Sequence, residues 1–124
     1  MRVLVVGMNP GNRKIKSFSN LTPFHQRLNS WMKFMKVEMY SFVNVQQDSG
    51  KFFPLESDLD FFFSIISLNQ HERIVALGER VSSILSKNSI AHFKLPHPSG
   101  LNRKLNDRTF VEKTLIECRK YINV

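Results

Sequence analysis

Val3-Leu4-Val5-Val6-Gly7, followed by Met8-Asn9-Pro10-Gly11, is the stretch that decides the fold. Its apolar part is short and rich in β-branched residues, the composition of a strand buried on both faces. It stops at Gly7, and Asn9, Pro10 and Gly11 are polar or turn-forming. In an α/β sheet, the carboxyl ends of the strands form the edge where ligands bind. The chain thus closes its most hydrophobic segment by presenting an amide side chain, Asn9, in a loop of restricted shape.

The rest of the chain repeats that logic. Residues 12 to 20 form a polar loop with Arg13, Lys14 and Lys16 and one aromatic, Phe18. Thr22 then Pro23 matches an N-cap followed by Pro at the first helical position. Phe24, Leu28, Trp31 and Met35 recur at helical spacing, which predicts a helix over 22–36 with an aromatic core stripe and with His25 off it, exposed. Residues 39–45 read as a second strand with Asn44 near its end. Residues 46–56 form a loop with its turn at 48–50. Ser57 or Asp58 caps a second helix reaching Leu68, which is apolar nearly all round and therefore expected to be well buried. Residues 73–77 are a third strand ending at Gly78, followed by a helix over 79–87. A short fourth strand over 91–95 precedes the loop that carries His97. The last helix spans 109–122 with Val111, Leu115, Cys118 and Ile122 on one face, so Cys118 reads as a small core residue.

Strand and helix alternate four times with short links, which argues for a parallel sheet covered on both faces. All strand carboxyl ends then share one edge, where Asn9, Asn44 and His97 converge from distant parts of the chain. The 124 residues suit a single domain, 1–124, with a real core but little to spare. Composition, at 42% hydrophobic and 23% charged, is that of a soluble globular protein. No apolar run approaches a membrane span, and the N-terminus lacks a secretory pattern. One cysteine excludes an internal disulfide and fits an intracellular, reducing compartment. The formal charge of +8 favours an anionic partner, nucleic acid first. The four histidines show no metal-ligand spacing and no dinucleotide-binding glycine pattern is present, so neither metal nor cofactor is implied.

Two loops resemble the signature motifs of the uracil-DNA glycosylase superfamily. Gly7-Met8-Asn9-Pro10-Gly11 looks like the first motif of its mismatch-specific and single-strand-selective branches. His97-Pro98-Ser99-Gly100-Leu101-Asn102 looks like the second, joining the His-Pro-Ser of the classical branch to the Pro-Ser-Gly-Leu of the mismatch-specific one. Phe42-Val43-Asn44-Val45 sits where that superfamily carries its base-reading asparagine. The resemblance implies a three-layer α/β/α fold with a four-stranded parallel sheet ordered 2-1-3-4.

It also implies a reaction, hydrolysis of the N-glycosidic bond of uracil or a related base flipped out of DNA. That reaction passes through an oxocarbenium-like sugar and a departing base anion. His97, as a neutral imidazole, would donate to the carbonyl oxygen of the base where charge develops. Asn9 is no strong base, but its oxygen can orient the attacking water. Asn44 would pair with the edge of the extruded base, with Phe18 stacking beneath it and Phe24 as the alternative, and Met8 beside them. Pro10, Ser99, Gly100, Leu101, Arg103 and Lys104 would hold the DNA, Leu101 as the wedge in the vacated stack. The expected enzyme works as a monomer. Because Asn stands where the faster branch has Asp, a second reading stays open: a nucleic-acid-binding module that keeps the fold and has lost turnover. A small nucleotide-binding regulatory domain of flavodoxin type is a third, disfavoured by the His97 loop.

Overall fold

A computed structural model describes residues 3–8, 23–46, 56–68, 73–98 and 103–123. In chain order they form β1 (Val3–Gly7), α1 (Pro23–Phe34), β2 (Ser41–Asn44), α2 (Glu56–Leu68), β3 (Arg73–Leu77), α3 (Glu79–Lys87), β4 (Phe93–Leu95), a 3-10 turn (Arg103–Asn106) and α4 (Arg108–Ile122). The strands make one four-stranded sheet in the order β2-β1-β3-β4. Every pairing is parallel, with Val5 opposite both Phe42 and Val75 and with Val75 opposite Phe93. The sheet order and the α/β class are those expected.

Alternation along the strands separates two cores. Val3 and Val5 of β1, Val75 and Leu77 of β3 and Leu95 of β4 pack with Leu28, Trp31, Met32 and Met35 of α1 and Leu115, Cys118 and Ile122 of α4. Leu4 and Val6, Ile74 and Ala76 face the other way, onto Phe62 and Ile66 of α2 and Val81 and Leu85 of α3. Helices thus cover both faces, which is why β1 is buried along its whole length. Each large side chain taken fully from water contributes about 1.5–3 kcal/mol. The central pair β1 and β3 therefore anchors the fold. Cys118 is buried in the α1–α4 core, as its place on the α4 stripe implied.

Local chemistry sets the ends of the elements. After α1, Lys36 takes a left-handed φ of 59°, and Val37 N–H returns to the Met32 carbonyl at 2.8 Å, closing the last turn. Gly78, with φ 93°, makes the sharp passage from β3 into α3 that a side chain would strain. Asp107 caps α4 by accepting the Phe110 N–H at 3.0 Å.

Four expectations need correction. α2 is not well buried: only Phe62 and Ile66 are, while Phe61 is 49% and Leu68 81% exposed. A helix in an outer layer offers the sheet one face, whatever its composition elsewhere. It also begins at Glu56, so Ser57 and Asp58 lie in its first turn, where the acidic side chains suit the helix dipole. β2 is shorter than 39–45, because its ladder with β1 begins at Leu4–Ser41 and Met39 turns out to solvent. β4 starts at Phe93, not Ala91. His92 turns away: its Nδ1–H donates to the Ile90 carbonyl and its Nε2 accepts the Ser82 hydroxyl, both at 2.8 Å. Among the described residues no helix is long and apolar enough to cross a membrane.

Candidate functional site

The parallel sheet brings Gly7, Asn44 and Gly78 and the segment after Leu95 to one edge. Backbone hydrogen bonds fix these exits. Val45 N–H donates to the Gly7 carbonyl at 2.9 Å, Gln46 N–H to Met8 at 2.8 Å and Gly78 N–H to Leu95 at 2.9 Å. The strands are therefore held to each other one residue past their regular ladders, which keeps the edge rigid.

Glycine at two positions lets side chains cross that edge. A Cβ on Gly7 would lie 2.7 Å from Asn44 Oδ1 and 2.8 Å from Phe42 Cζ. Asn44 and Phe42 thus fold over the end of β1, on the α1 side of the sheet. A Cβ on Gly78 would stand 3.5 Å from the Cβ of His97. His97 therefore leans over the end of β3, as Asn44 does over β1.

The first turn of α1 links the two. The Phe24 ring lies 5.3 Å from the His97 ring and 6.2 Å from the Phe42 ring, centre to centre. His25 joins them, 5.2 Å from Phe24 and 6.4 Å from Phe42. His97 and Phe42 thus both neighbour the Phe24 ring, and Asn44 lies with Phe42 over the end of β1. On the far side, Arg27 Nη1 donates to the Pro98 carbonyl at 3.4 Å, tying α1 to the His97 segment. Burial holds the His97 imidazole below the usual histidine range, so the ring is neutral at physiological pH. A neutral imidazole offers one N–H donor and one acceptor, which suits recognition of a carbonyl or ring nitrogen.

The expected residues divide as follows. Asn44 and His97 share the edge and the same face. Met8 does not join them: its side chain packs with Val6, Val45 and Phe62 in the α2–α3 core. The correction follows from alternation, since Gly7 faces α1 and its neighbour must face away. Arg103 and Lys104 are exposed on the 3-10 turn that follows the His97 segment. Asn9, Pro10, Phe18, Ser99, Gly100 and Leu101 lie outside the described residues. His25, expected to be exposed, is half-buried against Phe24.

Phe42 and His25 are the site residues that sequence reading passed over, while Phe24, the alternative stacking residue, lies at the site. The signal for Phe42 was available, because it lies two residues before Asn44 and so shares its face. A hollow of about 660 Å³, lined by Val3, Met35, Tyr40, Ser41 and Ile122 among others, opens at the opposite edge. It lies at the strand starts, away from the edge that carries Asn44 and His97, and among the described residues no imidazole lines it. No family model, curated protein or solved structure matches the chain.

Proposed function

We propose that this chain is a monofunctional DNA glycosylase of the uracil type, holding an extruded base at the carboxyl edge of the sheet. The observation that carries the reading is the placement of a neutral imidazole, His97, and an amide, Asn44, with aromatic rings on one face of that edge. A flat, neutral base bearing carbonyl and N–H groups is the ligand such a set recognises. The Asn44 amide supplies one donor and one acceptor to the base edge, a pattern that suits uracil and mispairs with cytosine. The Phe24 or Phe42 ring supplies the stacking surface.

In the reaction, the bond between the sugar anomeric carbon and the base nitrogen breaks and the electron pair leaves with the base. His97 donates an N–H hydrogen bond to the base carbonyl oxygen as charge gathers there. A neutral donor loses less on entering a half-buried site than a charged one would. Water, oriented by the Asn9 side chain, adds its oxygen to the anomeric carbon, and its proton passes through solvent to the departed base anion, leaving an abasic site and the neutral base. Arg103 and Lys104 contact the phosphates on either side. The chain acts as a monomer, within the cell.

The test is alkali cleavage of labelled uracil-containing oligonucleotides, single- and double-stranded, by wild type, His97→Ala and Asn9→Ala. Abasic product from wild type that both variants abolish is the expected result. Salt-sensitive binding with no abasic product, on uracil and on a panel of modified bases, refutes the enzyme and identifies a binding module.

A further inference from the structure

We infer that the cleft between α1 and α4 is a binding track for single-stranded nucleic acid, taking nucleotides next to the base held at the sheet edge. The inference rests on the reading of this chain as one that acts on nucleic acid. The cleft encloses about 230 Å³. Its floor is apolar, formed by Trp31, Val111 and Leu115, and Phe34 stands on its wall with 47% of its surface exposed. Arg27 and Arg108 flank it.

Three features point to this ligand. The first is continuity with the site. Arg27 lies one turn along α1 from Phe24, lines the cleft, and donates to the carbonyl of Pro98, the residue after His97. The cleft therefore opens from the rim of the site, not from an unrelated surface. The second is charge. Arg27 and Arg108 outnumber Glu112 in the cleft, and Arg103 and Lys104 on the adjoining 3-10 turn add to the excess. Among the described residues Arg108 makes no ion pair. The third is the mixture of an exposed aromatic face with flanking guanidinium groups. Stacking on the one and phosphate contact with the other is how single strands are held without sequence preference. A duplex shows its phosphates but hides its base faces, and would leave Phe34 unused.

The test is fluorescence anisotropy of a labelled, uracil-free single-stranded 15-mer with wild type, Phe34→Ala, Arg108→Gln and Lys87→Gln. Lys87→Gln removes one charge from α3, in the opposite layer. Phe34→Ala is expected to weaken binding about tenfold, in line with loss of one stacked base. Arg108→Gln is expected to weaken binding and to lower the slope of log affinity against log salt by about 0.7. Lys87→Gln should match wild type. Circular dichroism confirms that each variant is folded, and both cleft residues are exposed enough to be replaced without opening the core. Absence of wild-type binding overturns the inference. So does equal behaviour of all three variants, or displacement of the strand by an acidic peptide at equal charge concentration. Because the probe contains no uracil, the glycosylase reading fails separately: abasic assays can be negative while the cleft pattern holds, and the reverse.

Discussion

Gly7→Ala tests the geometry of the site at the point where it is tightest. The new methyl would sit 2.7 Å from Asn44 Oδ1 and 2.8 Å from Phe42 Cζ. Carbon atoms in contact prefer about 3.5 Å or more, so the Phe42 ring must retreat by roughly 0.7 Å and the Asn44 amide by a similar distance. The β1 backbone is free of positive φ at Gly7, so alanine fits the strand itself. Overpacking costs about 1–3 kcal/mol in a closed core. Phe42 is 37% exposed and Asn44 half-buried, so both can swing outward and the cost falls at the low end. Loss of glycine freedom in the unfolded chain returns about 0.4–1 kcal/mol. The net loss of stability is therefore about 1 kcal/mol or less, a few degrees in Tm at most.

Function should suffer far more. A misplacement of about 1 Å in a positioning group lowers rates on the order of a hundredfold. Urea denaturation should thus show a nearly wild-type protein whose single-turnover uracil excision has collapsed. The Asn44 side-chain amide resonance should shift in the free protein, a readout that needs no turnover. In an Asn44→Ala background, Gly7→Ala should add little further loss of excision, because the group it displaces is gone. An unmoved Asn44 amide resonance refutes the packing argument. Wild-type excision by Gly7→Ala, with Asn44→Ala strongly impaired, refutes the link from packing to base recognition.

Other outcomes follow from the same structure. Burial depresses the His97 pKa, so the unfolded chain binds its proton more readily than the folded one does. Stability should be full above the unfolded value of about 6.5 and fall as pH drops through the lowered folded value. Urea midpoints across this range should lose that dependence in His97→Gln, and a His97 resonance titrating at or above the usual value contradicts it. Burial also pushes the Cys118 thiol up to about 12, so a disulfide reagent at pH 8 should label it only as fast as the protein unfolds. Prompt labelling under native conditions contradicts its place in the core. Asp107→Ala should cost about 1 kcal/mol in urea denaturation by leaving the Phe110 N–H uncapped, with Asp107→Asn retaining most of it.

The fold was legible because its central strands carry their own evidence. Residues 3–7 and 74–77 are apolar on both faces, and the third helix, between Gly78 and Asn88, stands where its sequence punctuation puts it. Edges were less legible. The extent of β2 and β4 is set by what their partners offer, which no local pattern encodes. α2 shows the converse, since hydrophobic composition alone does not say how much of a helix its neighbours can cover. At the site, Asn44 and His97 could be placed together from parallel topology. Periodicity places Phe24 on the core stripe because it reports which face of the helix a residue occupies, not its height along the axis. In the structure it does both: it packs on the α1–α4 core and touches His97. Met8 was misplaced because a motif read as a block ignores the alternation within it.

Among the described residues the sheet is bordered by strands of only four residues in β2 and three in β4. Growth of a sheet by recruiting a foreign strand needs a row of vacant amides and carbonyls, and these borders hold very few. On β4 the middle residue is Lys94, whose ammonium is tethered to Glu79 at 2.7 Å and keeps a charge at that margin. A chain with 11 phenylalanines and an interior of valine and leucine thereby offers a foreign strand little to pair with at these two borders.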